Sequence, residues 1–146
     1  MNIVSNIKLS KEEVLRLLNR FDDSSDAPLH QGLDFESYSE KLSEYAWFVI
    51  AEEGGAQIGF IAYYLNDEGE FGYVPQVVVH RDGRHQGVGH KMFEALYGVL
   101  KDRNFHTLKL EVLKSNQNAR RFYERECFGE IENHDERLLL MKRITP

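Results

Sequence analysis

Halfway along the chain the spacing of its apolar residues changes, and that change limits the folds open to it. Three runs, Trp47 to Glu52, Gln57 to Leu65 and Glu70 to Val79, are dense in β-branched and aromatic residues. They are separated by Glu53-Gly54-Gly55 and by Asn66-Asp67-Glu68-Gly69, short segments with the chemistry of tight turns. This predicts three antiparallel strands joined by hairpins. Beyond them, Met92, Phe93, Leu96, Val99 and Leu100 follow helical spacing, Thr107 to Leu113 reads as a strand, and Ala119, Phe122 and Tyr123 share one face of a further helix. A shorter strand near Phe128 to Glu132 and a last one over Arg137 to Ile144 complete the pattern. Hairpins first, then alternating strands and helices, predict an α+β fold with a mixed, largely antiparallel sheet flanked by helices.

The segment before the hairpins adds two helices. After an apolar–polar alternation from Ile3 to Leu9, Ser10-Lys11-Glu12-Glu13 has the form of a capping box, and Val14, Leu17, Leu18 and Phe21 continue at helical spacing. Asp22 to Pro28 is loop chemistry, and Phe35, Tyr38, Leu42 and Tyr45 mark the second helix. With 146 residues and no repeat or linker-like stretch, one domain over residues 1–146 is expected. The lone Cys127 excludes an internal disulfide and any zinc site built on cysteine pairs, which suits a reducing compartment. No stretch has signal-peptide or membrane-span character, so the expected location is the cytoplasm, with no membrane partner. His80, His85 and His90 stand five apart and share no face, so no metal is expected. A net charge of −6 argues against nucleic acid as a partner.

Gln76-Val77-Val78-Val79-His80-Arg81-Asp82-Gly83-Arg84-His85-Gln86-Gly87-Val88-Gly89-His90-Lys91 reads as a strand, a short glycine-bearing loop and a helix start. Such a junction aims backbone N–H groups and the positive helix end at one point, where they can hold a phosphate, and glycine leaves room for the ligand. Two familiar phosphate loops do not fit. The P-loop fails because Val88 stands where its second glycine belongs and Met92 follows Lys91; the dinucleotide fingerprint fails because Met92 replaces its third small residue. By itself the loop is also compatible with a helix start merely softened by glycine.

A second block, Asn116-Gln117-Asn118-Ala119-Arg120-Arg121-Phe122-Tyr123-Glu124-Arg125-Glu126-Cys127-Phe128, follows the strand that ends at Leu110-Glu111-Val112. Together with the loop from Arg84 to Gly89, it closely resembles the GNAT superfamily of N-acetyltransferases, whose loop is Arg/Gln-x-x-Gly-x-Gly/Ala and whose later block is Asn-x-x-Ala-x-x-Phe/Leu-Tyr-Glu-Lys-x-Gly-Phe. The resemblance is specific from about Val77 to Phe128. One departure is Cys127 in the place of the usual glycine, which predicts an altered turn into Phe128, because a side chain disfavours positive φ.

The resemblance implies a splayed strand pair holding acetyl-CoA. Val77 and Val79 would offer backbone groups to the pantetheine arm, Arg84, His85, Gln86, Gly87, Val88 and Gly89 would hold the pyrophosphate, and Asn116 would touch the pantetheine arm or cap its helix. Pro75 would mark a bulge at the splay, or else an edge strand. Tyr123 would be the general acid to the departing thiolate, with a core tyrosine as the alternative; Glu111, twelve residues earlier, would be the general base, with a strand residue paired to a lysine as the alternative. The expected acceptor is a small-molecule amine; a protein N-terminal or lysine acetyltransferase, and a non-catalytic acyl-CoA-binding module, stay open. A homodimer is compatible with this reading. Residues 1–79 carry 14 acids and 5 bases, a net −9, and residues 80–146 carry 10 acids and 13 bases, a net +3. That asymmetry suits an anionic cofactor on the later half and a cationic acceptor facing the earlier one, or merely differing solvated faces.

Overall fold

The computed structural model describes residues 1–22, 34–68, 70–80 and 87–145. In chain order its elements are β1 (Asn2–Ile7), α1 (Lys11–Phe21), α2 (Phe35–Tyr45), β2 (Trp47–Glu53), β3 (Ala56–Asn66), β4 (Phe71–Val79), α3 (Val88–Asp102), β5 (Thr107–Leu113), α4 (Gln117–Arg125), β6 (Gly129–Asn133) and β7 (Arg137–Arg143). The strands form one seven-stranded sheet in the order β1-β2-β3-β4-β5-β7-β6. The β1–β2, β2–β3, β5–β7 and β6–β7 pairs are antiparallel, whereas β4 and β5, connected through α3, are parallel. The fold is therefore the expected mixed, mainly antiparallel α+β sheet with helices. Among the described residues no helix is long and apolar enough to cross a membrane.

The chain packs as two compact units, Met1–Tyr63 with Gln76–Leu96 and Tyr64–Pro75 with Tyr97–Pro146. In the first, the capping box forms as its spacing predicts: the Glu13 amide donates to Ser10 Oγ at 3.2 Å and the Ser10 amide donates to Glu13 Oε1 at 3.0 Å. Val14, Leu17, Leu18 and Phe21 of α1 are buried, and the Phe21 ring lies 5.5 Å from that of Phe60. The runs Phe48 to Ala51 and Ile58 to Tyr63 are buried without a break, which requires cover on both faces of the sheet. Gly59 explains how: a Cβ there would stand 3.0 Å from Met92 Cε and 3.1 Å from the Val78 carbonyl oxygen. Neighbouring strand residues point to opposite faces, so Phe60 receives α1 on one side and Gly59 receives α3 on the other.

The second unit is built on β5. Leu108, Leu110 and Val112 are buried together with Leu138 and Leu140 of β7, and Gly72 lies so close to them that a Cβ would be 3.0 Å from Leu100 Cδ2 and 3.3 Å from Leu108 Cδ1. The alternate residues, Lys109 and Glu111 with Met141 and Leu139 opposite them, form the other face, which is half-buried to exposed. The parallel ladder runs from Phe71 opposite Thr107 to Val74 opposite Leu110. Pro75 comes next and has no N–H with which to extend it. The edge-strand alternative for Pro75 is overturned, because β4 lies between β3 and β5 in the sheet.

Candidate active site

In the first unit the site residues sit where β4 ends and α3 begins. Val77 and Val79 are half-buried on β4, and the His80 amide donates to the Ile58 carbonyl at 2.7 Å, so pairing with β3 continues past the strand's end. Gly87 has φ +75°, and among the described residues a Cβ on it would meet no atom within 4 Å. Its glycine is favoured by this left-handed backbone conformation. The Gly87 carbonyl accepts the Lys91 amide at 3.0 Å, the first turn of α3. The amides of Val88 and Gly89 precede that bond, in the first turn of α3, the kind of position at which helix N-termini can hold a phosphate. Val88 is buried and fixes this end of α3. Arg84, His85 and Gln86 lie outside the described residues.

The other expected residues sit in the second unit. Asn116 is the N-cap of α4, its side chain accepting the Ala119 amide at 3.1 Å. Tyr123 is 5% exposed, and its ring meets those of Phe122 and Phe128 edge-on at 5.3 and 5.4 Å. Burial pushes its phenol well above the ordinary tyrosine range. The helix closes immediately afterwards. The Phe128 amide donates to the Tyr123 carbonyl at 2.9 Å and the Cys127 amide donates to the Glu124 carbonyl at 3.0 Å, the paired bonds of a Schellman turn. Cys127 occupies the left-handed position at φ +70°. The expected change at this turn is not found: cysteine adopts the conformation that glycine favours, and the turn keeps its form.

Glu111 lies on the exposed part of β5. Its carboxylate accepts a hydrogen bond from Tyr73 Oη at 3.1 Å, a different partner from the lysine of the alternative reading. Lys109, the nearest lysine on that strand, places Nζ 4.3 Å from the centre of the Phe71 ring. Sequence reasoning missed Tyr73, since nothing in a strand pattern shows which residue a crossover sets beside it. It also missed Glu126, a buried acid at the end of α4 that accepts from Tyr97 Oη at 2.8 Å and whose carbonyl accepts from Lys142 Nζ at 2.6 Å. Among the described residues no cluster of three or more His, Cys, Asp or Glu could hold a metal ion.

The Acetyltransferase (GNAT) family model matches residues 11–128. No curated protein sequence matches the chain. Among solved structures, the ribosomal-protein-S18-alanine N-acetyltransferase of Escherichia coli is similar with TM-score 0.81 and 19% identity, over 99% of this chain and 94% of that one. PaiA N-acetyltransferase of Thermoplasma acidophilum, solved in complex with coenzyme A, is similar with TM-score 0.78 and 18% identity over 98% and 99%. The ribosomal-protein-alanine N-acetyltransferase of Brucella melitensis gives TM-score 0.75 and 18% identity over 98% and 99%.

Proposed function

The chain belongs to the acetyltransferase (GNAT) family, and from that premise we propose that it moves an acetyl group from acetyl-CoA to a primary amine of a small molecule, in the cytoplasm, by direct attack in a ternary complex. The observation that carries the reading is Tyr123, a buried phenol at the family's acid position, which like any tyrosine carries its proton at neutral pH. Acetyl-CoA supplies the acetyl group as a thioester. The left-handed Gly87 and the amides of Val88 and Gly89 suit its pyrophosphate, and Arg84, His85 and Gln86 are assigned to the same ligand by their place in the motif. Val77 and Val79 offer backbone groups to the pantetheine arm, and Asn116 serves it in addition to capping α4. Glu111 takes a proton from the acceptor's ammonium, the freed amine attacks the thioester carbon, Tyr123 gives its proton to the sulfur as the C–S bond breaks, and the second proton, shed by the acylated nitrogen, returns to the Tyr123 oxygen while Glu111 releases its own to solvent. Holding both reactants together supplies much of the rate.

A second reading is that the acceptor is a protein N-terminus. It is favoured by the similarity to two ribosomal-protein-alanine N-acetyltransferases. Thiol release from acetyl-CoA separates the two when measured against amino sugars, polyamines, aminoglycosides, amino acids and peptides beginning with alanine. Release above background with small amines supports the first reading, and release with peptides alone supports the second. No release with any amine, alongside an acetyl-CoA-induced rise in Tm, would leave a non-catalytic binding module.

A further inference from the structure

We propose that Tyr73 is an acceptor-binding residue, which with Glu111 forms a two-point clamp for the ammonium group of the acceptor. This rests on the acetyl-transfer reading and adds to it a residue that the sequence motifs do not include. Tyr73 stands opposite Lys109 in the parallel ladder, so Glu111, two residues on, shares its face one pleat further along. The bond from Tyr73 Oη to Glu111 Oε1 uses the phenol's one hydrogen and one carboxylate oxygen. What is left over is acceptor capacity on two adjoining groups, the remaining lone pair of Tyr73 Oη and the second oxygen of Glu111. An ammonium supplies the complementary donors.

The choice of partner matters to the chemistry. A lysine beside Glu111 would neutralise it, but Lys109 lies over Phe71 instead, and a neutral phenol orients the carboxylate without cancelling its charge. Burial first, and then the Glu111 carboxylate, push the Tyr73 phenol up to about 12, with Tyr64 adding to the effect and Arg137 opposing it. Tyr73 therefore keeps its proton at neutral pH and does not compete as a base. The ammonium donates one N–H to Glu111 and one to Tyr73. The first proton passes to Glu111, leaving a neutral amine held by Tyr73 and a protonated carboxyl.

The test is a double-substitution cycle of Tyr73→Phe and Glu111→Gln, read as kcat/KM for the best amine found by thiol release. Loss of the phenol oxygen alone is expected to lower kcat/KM by about 10- to 100-fold, leaving the acetyl-CoA KM and the acetyl-CoA-induced rise in Tm unchanged. Because the two groups act on one ammonium, the double variant is expected to lie within about 3-fold of Glu111→Gln alone. A Tyr73→Phe enzyme within about 2-fold of the original, or losses that multiply in the double variant, would overturn the clamp and leave acetyl transfer standing. Absence of thiol release by the unaltered protein with every amine would overturn both.

Discussion

Two kinds of side-chain state, one at Cys127 and one shared by three tyrosines, can be measured at the scale of the residue. Cys127 adopts φ +70° at an exposed turn, a conformation that costs a side-chain-bearing residue about 1–2 kcal/mol and glycine almost nothing. Cys127→Gly is expected to raise stability by up to about 1 kcal/mol, the greater freedom of unfolded glycine offsetting part of the gain; urea unfolding checks it, and a loss of stability would mean that the thiol has a packing role. The second state is the protonated phenol. Burial raises Tyr97 and Tyr123, and burial with Glu111 raises Tyr73 to about 12, from an ordinary value of 10.0. The fold thus retains protons that the unfolded chain gives up near pH 10, so this stabilisation is complete below that pH and is lost as pH rises through the folded values. Urea midpoints are expected to show no phenol-linked fall up to about pH 10 and a decline above it; equal midpoints at pH 9 and 11.5 would contradict the assignment.

At the scale of elements, helix starts were legible and cross-strand partners were not. The Ser10–Glu13 box and the Asn116 cap depend on residues three apart, a distance that sequence spacing encodes directly. Gly87 was legible for the same reason, as a glycine just before a helical period. Tyr73 and Glu111 are 38 residues apart and meet because the connection through α3 sets β5 parallel to β4 at one register, which local pattern does not specify. The Schellman turn at Cys127 was misread because intrinsic preference argued against it, whereas the two closing amide bonds and the Tyr123–Phe128 contact hold it in place. α4 is accordingly fixed at both ends. Asn116→Ala should cost about 1 kcal/mol. Tyr97→Phe, which takes a donor from the buried Glu126, should cost about 1–3 kcal/mol. Urea unfolding of each variant measures these costs, and no change in either would mean that the caps do not hold the helix.

For the whole molecule, the chain crosses between its two compact units at Tyr63–Tyr64, Pro75–Gln76 and Leu96–Tyr97, and each crossing falls inside an element, β3, β4 and α3. Neither unit is a continuous stretch of chain, and we propose that they unfold together as one domain, giving coincident transitions by circular dichroism and by Trp47 fluorescence. From the charge asymmetry, −9 over residues 1–79 and +3 over residues 80–146, we propose a cationic acceptor, the alternative being solvated faces that merely differ. Neutralising Asp22, Asp23 and Asp26 is expected to raise the acceptor KM and flatten its salt dependence; of these Asp23 and Asp26 lie outside the described residues. The proposed reaction turns on Tyr123. In Tyr123→Phe, kcat for thiol release at saturating acetyl-CoA and amine is expected to fall about 10- to 1000-fold, while the Kd for acetyl-CoA stays within about 2-fold, because one proton donor is lost and the ring remains. A kcat equal to that of the unaltered protein would contradict the assignment of Tyr123 as the acid that releases coenzyme A.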